Sequence, residues 1–281
     1  MTDVAARRPT RASVTPDVPA LDSASSALPE DLRAAVAELL LTLADDEFVQ
    51  GFLDSEWTGI APMLEEDVAF SSLAQDEIGH ARAFYALRSA LTGEDPDELA
   101  FGRQAEEYRH CRLLDHPRTD WAFSVARRYL YDTADHVRLG ALAQASWAPL
   151  GQLVAKVRRE ETYHLMHLDA WLRRLAQGGH EPRRRLEAAL EQLWADALSP
   201  FASPAAEATL LEHGILAAPM AALAERHWEQ LHAVMAPLGI AMPSTPPDPS
   251  VGRSRDAVAA GFAWLWGEFT SVRGSEPGAT W

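Results

Sequence analysis

Cysteine, lysine and long apolar runs are all scarce in this 281-residue chain, and each scarcity removes a class of protein. A single cysteine, Cys111, allows no internal disulfide and no thiolate metal cluster. That usage suits a reducing cytoplasm, and any metal must be held by oxygen and nitrogen. Lys156 is the only lysine among 25 Lys and Arg residues, a composition bias from which no function follows. No run of about 18 apolar residues occurs, so no membrane span is expected. The N-terminal arginines are not followed by the apolar core of a signal peptide. Basic excess is missing too: a formal net charge of −16 excludes nucleic acid as a main partner, because phosphate binding needs a basic surface. Strand signals are nearly absent, which leaves an all-α fold.

What is present is enough apolar material, 47% of residues, to bury a full core. Residues 1–28, rich in Ala, Ser, Thr, Pro and Arg and without periodicity, read as a flexible tail. Helical patterns are expected at about 30–57 and, after Gly59 and Pro62, up to about 92. A loop at 93–96, a short helix at 97–102 and an irregular stretch through 117 follow. Two more long helices are expected at about 120–147 and, with Pro149 in the first turn, 148–177. Four helices in two hairpins thus make a core at 29–179, a four-helix bundle. Residues 180–281 form a C-terminal extension of further helices at 182–198, 205–211, 220–235 and 256–270, with a loop at 237–252 that contains five prolines. The last helix, with Phe262, Trp264, Leu265, Trp266 and Phe269, packs on the bundle or forms a subunit interface.

Two Glu-x-x-His motifs lie inside the long helices, Glu77-Ile78-Gly79-His80 and, 84 positions on, Glu161-Thr162-Tyr163-His164. Positions i and i+3 share a helix face about 5–6 Å apart, so each motif aims a carboxylate and an imidazole at one place. Both faces are apolar: Phe70, Leu73, Phe84 and Leu87 flank the first, and Leu153, Val157, Leu168 and Trp171 the second. A carboxylate on such a stripe costs several kcal/mol unless a cation compensates it. Glu47 precedes Glu77 by 30 positions and Asp132 precedes Glu161 by 29, each on the inward stripe of the helix just upstream. A carboxylate from each of two helices and Glu-x-x-His from each of the other two is the ligand pattern of dinuclear iron or manganese bundles. Glu47, Glu77, His80, Asp132, Glu161 and His164 are therefore the expected ligands, with Glu77 and Glu161 bridging. Hard carboxylates favour iron, with manganese as the alternative, and disfavour zinc. Around them, Asp76 and Glu160 point away and read as surface acids, His167 as an ordinary half-buried histidine, and Asp135 as the competitor to Asp132. Gly51 either leaves room for a small molecule or allows close helix packing.

The block Ser55-Glu56-Trp57-Thr58-Gly59, with Ala61-Pro62, Leu64-Glu65-Glu66-Asp67 and Gln75-Asp76-Glu77-Ile78-Gly79-His80-Ala81-Arg82, resembles the phenylacetic acid catabolism family of ferritin-like proteins. Arg127-Arg128-Tyr129, Asp132 and Tyr163-His164-Leu165 extend the likeness, and the Ser-Glu-Trp-x-Gly block is similar to the structural, C-type branch of that family. The resemblance implies a ferritin-like bundle and a component of a multi-protein di-iron monooxygenase that epoxidises phenylacetyl-CoA. It also implies two iron ions, electrons from a flavin/iron–sulfur reductase, and association with a homologous ferritin-like protein or with itself. The C-type members of that family have largely lost the ligands that this chain retains. The alternatives are a non-catalytic structural component of the same complex and a standalone di-iron oxygenase acting on another small molecule. The long extension after residue 179 disfavours iron storage. Arg103, Arg109, Arg112 and Arg118 are the arginines placed to meet CoA phosphates, though surface ion pairing explains most of them.

Overall fold

The computed structural model describes residues 28–249, 255 and 260–276, and every described element is helical. Residues 1–27 of the expected tail, the end of the proline-rich loop and the start of the last helix at 256 lie outside the described residues.

Four long helices form the bundle: α1 (Glu30–Ser55), α2 (Leu64–Thr92), α3 (Trp121–Leu142) and α4 (Ala148–Gln177). Their ends follow local chemistry. The first turn of α2 contains Glu65, Glu66 and Asp67, which favour the positive end of the helix dipole. Gly93 ends α2 with φ +79°, a left-handed conformation that a side chain disfavours, and its N–H donates to the Ser89 carbonyl at 2.7 Å. Asp120 caps α3 by accepting from the Phe123 N–H at 2.9 Å.

The two hairpins close differently. Between α1 and α2 the Ser-Glu-Trp-x-Gly block makes the turn: Trp57 is buried and donates to Ser124 at 2.9 Å, and the Gly59 N–H donates to Asp67 at 2.5 Å. Between α3 and α4 the chain turns earlier than the expected end at 147. Ser146 is captured by the C-terminal extension, its N–H donating to the Gly214 carbonyl at 2.9 Å and its hydroxyl to the His213 carbonyl at 2.6 Å. The long connection from α2 to α3 contains a π turn at Glu98–Gly102 and two short 3-10 turns, and it buries Tyr108, Cys111, Leu113 and Leu114.

The extension continues with α5 (His180–Leu193), α6 (Glu207–Glu212), α7 (Met220–Met235) and α8 (Ala260–Ser275). α5 packs on α3 and α4, and α7 on α3. α8 runs five residues past its expected end. It buries Phe262, Leu265 and Phe269 in an aromatic cluster with Phe48, Phe52, Phe101 and Tyr108, while Trp264 stays exposed.

The connection and Arg255 explain an unexpected feature of α1, where Asp45, Asp46 and Glu47 are consecutive yet all buried. Asp45 accepts from Arg103 at 2.9 Å and from the Arg109 N–H at 2.6 Å. Asp46 accepts from Arg138 at 2.5 Å, Arg255 at 2.9 Å and the Cys111 N–H at 2.7 Å. Burial opposes its charge, but the two arginines hold the Asp46 carboxyl below its usual pKa. That leaves Glu47 to face the bundle axis.

Candidate metal centre

Helices α1, α2 and α4 bring Glu47, Glu77, His80 and Glu161 together, all buried, with one donor atom of each within 4.8 Å of the others. The Nδ1 atom of His80 lies 3.3 Å from Glu47, 3.6 Å from Glu77 and 3.4 Å from Glu161. Separations near 3.4 Å around one point suit a shared ion with metal–oxygen and metal–nitrogen bonds of about 2.1 Å.

Glu77 and Glu161 also reach the second motif. The Nδ1 atom of His164 lies 3.2 Å from Glu77 and 3.1 Å from Glu161, and the two imidazoles are 6.1 Å apart. Both glutamates therefore stand between both histidines, the placement expected of bridging carboxylates. Glu77 Oε2 and Glu161 Oε1 are buried and accept no hydrogen bond among the described residues, so this side of the centre is short of donors. Burial, with Glu161 and Glu47 beside it, pushes the Glu77 carboxyl well above its usual pKa. Burial also works against a charged His80, but the carboxylates of Glu160, Glu161, Glu47 and Glu77 around its ring outweigh it and raise its pKa well above the ordinary imidazole value. Without a metal the centre meets its charge deficit with protons, and a divalent cation fits it.

The outer ring nitrogens are held as metal-bound histidines usually are. His80 Nε2 lies 2.8 Å from Glu160, and His164 Nε2 lies 3.3 Å from Asp76. Each acid immediately precedes the glutamate of the opposite motif, so the pairs cross between α2 and α4. Asp76 and Glu160 are partly exposed, as the periodicity implies, but their side chains bend inward to the histidines. Tyr131 adds a hydrogen bond from its hydroxyl to Glu47 at 3.3 Å.

The second half of the expected site is arranged differently. Asp132 is buried, but its partner is Arg128, one turn earlier on α3, with Nε 3.2 Å from Oδ2. The same guanidinium pairs with Glu77 and with Asp54 of α1, and its Nη2 atom lies 3.1 Å from His164 Nδ1. Arg128 has no exposed surface. It touches one donor atom each of Asp132, Glu77 and His164, the side chains expected to hold the second half of the site, and leaves Asp132 Oδ1 and Glu77 Oε2 without a hydrogen bond among the described residues. Burial lifts the Asp132 carboxyl to about 6 even with Arg128 beside it.

Asp135 pairs with Arg138 at 2.5 Å, while burial and the nearby Glu47 and Glu161 push its carboxyl well above its usual pKa. His167 is half-buried, 3.0 Å from Glu66. Gly51 leaves no room for a ligand: a Cβ there would sit 2.9 Å from Ile78, which makes it a close-packing glycine. Arg103 is engaged by Asp45, Arg112 by Asp196 at 2.9 Å, and Arg118 stacks on Trp57. Sequence reading missed Arg128 and Asp54, although Arg128 stands four residues before Asp132 on the inward stripe of α3. A cleft of about 230 Å³ lies beside His80 between α2 and α4, lined by Gln75, Asp76, Arg82, Lys156 and Glu160 among others. Among the described residues, no helix is long and apolar enough to cross a membrane.

Comparison with known proteins gives the same direction. The chain is 34% identical over 181 residues to the C-type component of 1,2-phenylacetyl-CoA epoxidase from Escherichia coli (strain K12), covering 64% of this chain and 73% of that protein. It is 25% identical over 177 residues to the A-type component of the same epoxidase, covering 62% of this chain and 56% of that protein. With residues 20–281 matching the family described as phenylacetic acid catabolic protein, the chain belongs to that family.

Proposed function

We propose that this chain is the C-type component of an oxygenase of phenylacetyl-CoA epoxidase type, with iron in the buried centre and an aryl-CoA thioester as the substrate of the complex. The observation that supports it is the convergence of Glu47, Glu77, His80 and Glu161, one or more from α1, α2 and α4, on a donor-poor point inside a bundle of this family. Bound iron would supply electrons for dioxygen reduction, replenished by an external flavin/iron–sulfur reductase. The residues of the chain orient and shield. Glu160 and Asp76 fix the imidazoles, Tyr131 holds Glu47, and the apolar faces of α2 and α4 keep bulk water out. The cleft beside His80 opens next to the centre. A homologous ferritin-like protein is the expected partner, in the cytoplasm.

One observation favours a second reading. Arg128 takes up donors that a two-ion centre would use, which suits a structural component that supports a catalytic homologue. Reconstitution separates the two. Purified chain is mixed with a reductase and phenylacetyl-CoA, with and without an A-type homologue, and oxygen consumption and the oxidised CoA ester are measured. Product from the chain and reductase alone supports a catalytic centre here. Product only in the presence of the homologue, undiminished by the Glu77→Ala, Glu161→Ala double variant, supports the structural role. No gain over the homologue alone, and no association with it, rejects membership of such a complex.

A further inference from the structure

The internal repeat of the bundle provides a comparison within one chain. Asp132 follows Glu47 by 85 positions, and Arg128 follows Leu43 by the same 85. The two halves of the centre thus carry equivalent carboxylates and equivalent Glu-x-x-His motifs, but one turn before the carboxylate they differ. In the first half stands Leu43, buried and apolar, and the Glu47, Glu77, His80 and Glu161 donors face one another with no arginine or lysine between them among the described residues. In the second half stands Arg128, equally buried, with its guanidinium among Asp132, Glu77, Asp54 and His164.

From this asymmetry we infer that Arg128 is a built-in cation that replaces the second metal, so that the centre binds a single divalent ion through Glu47, Glu77, His80 and Glu161. Three points carry the inference. Arg128 nitrogens meet one donor atom on each of Asp132, Glu77 and His164; Asp132 Oδ1 and Glu77 Oε2 accept no hydrogen bond among the described residues, but both nitrogens of His164 are engaged, Nδ1 by Arg128 and Nε2 by Asp76, so an ion held by these three residues would have to displace the guanidinium. The arginine cannot simply swing out. It has no exposed surface, and Asp54, itself held by Gln50 at 2.8 Å, anchors the far side of its guanidinium. The placement of charge agrees: Asp54, Glu77 and Asp132 pair with the guanidinium, whereas Glu47 and Glu161 are buried with no arginine or lysine partner among the described residues, so the open set of donors for a metal lies in the first half. A guanidinium has a fixed charge and a planar set of N–H donors, so it can hold acidic side chains in position but cannot exchange ligands or electrons. In this chain the pattern of a dinuclear centre would be kept in shape while its chemistry is reduced to that of one ion.

The inference rests on the metal-centre reading above, and the test separates the two. Full-length protein, stripped with chelator, is titrated anaerobically with manganese(II), and bound metal is counted and examined by electron paramagnetic resonance. The expected result for the wild type is one equivalent per chain with the spectrum of an isolated ion. The Arg128→Leu, Asp54→Asn double variant places the residue type of Leu43 at 128 and removes the one paired carboxylate that is not among the expected ligands, and it is expected to bind a second equivalent with a spin-coupled spectrum. Two coupled ions in the wild type overturn the inference while leaving the metal centre standing. A folded double variant that stays at one equivalent also overturns it. No binding by either protein removes the metal centre itself and the inference with it. Should the double variant fail to fold, the wild-type count and spectrum decide alone.

Discussion

His227 sits in α7 with no exposed surface, against the ring of Phe201, and neither of its nitrogens has a hydrogen-bond partner among the described residues. Burial alone holds its pKa down at about 3, against 6.5 in the open. The unfolded chain therefore binds a proton that the native chain excludes, and the sign follows: stability is full above 6.5 and falls as acid is added, by about 1.4 kcal/mol per pH unit, until the native ring itself charges near 3. Between pH 7.5 and 5 the His227→Leu variant should lose about 2 kcal/mol less than the wild type in urea unfolding; equal losses would mean that the ring is solvated or paired. At this same scale the sequence is legible where spacing decides the outcome. Glu77, His80, Glu161 and His164 are brought together because i and i+3 share a face, and Glu47 joins them through its offset. Asp76 and Glu160 defeat that logic, because periodicity places a Cα on a flank while the side chain can still reach across to the next helix. Arg128 was hidden for another reason. An arginine on an inward stripe looks like a partner for the nearest acid, and only the packing of four helices shows which acids and which imidazole it meets.

Among the elements, the four bundle helices and their two hairpins follow from apolar stripes and breakers in the sequence, whereas α3 ends at Leu142 because the distant segment around Gly214 captures Ser146. α1 is the least legible helix: its acids at 45, 46 and 54 imply exposed faces until the connection from α2 to α3 and the α3 arginines are seen to cover them. α8 offers a test of how tightly the extension is seated. Replacing a glycine inside a helix by alanine ordinarily gains about 1 kcal/mol. At Gly261 the added Cβ would lie 2.5 Å from the Asp115 carbonyl oxygen and 3.1 Å from Pro117, a backbone contact that only a shift of the helix relieves. At Gly267, in the same helix, nothing lies within 4 Å. Gly261→Ala should lower the melting temperature and speed hydrogen exchange across α8, while Gly267→Ala leaves both unchanged or slightly improved. Equal behaviour of the two variants would place α8 elsewhere.

Over the whole molecule, the centre draws its donors from α1, α2 and α4, so metal binding to the native state adds to folding stability. An ion that binds only the native state adds about 2.7 kcal/mol when present at 100 times its dissociation constant. The metal-free protein is under the opposite influence, since Glu77 is held buried beside Glu161 and Glu47, with its pKa raised by burial and by those neighbours. Glu77→Gln keeps the shape and still offers Arg128 an oxygen to accept from, but it removes one of the crowded charges. Metal-free Glu77→Gln should therefore be more stable than the metal-free wild type at pH 7.5, by about 1–2 kcal/mol. With excess manganese(II) the order should reverse, because only the wild type gains the full binding energy. Thermal unfolding of both proteins with chelator and with metal measures the four values needed. A purely structural cluster, stabilised by its own ion pairs and indifferent to metal, would give the opposite pattern: Glu77→Gln less stable than the wild type in both conditions, and neither protein shifted by metal.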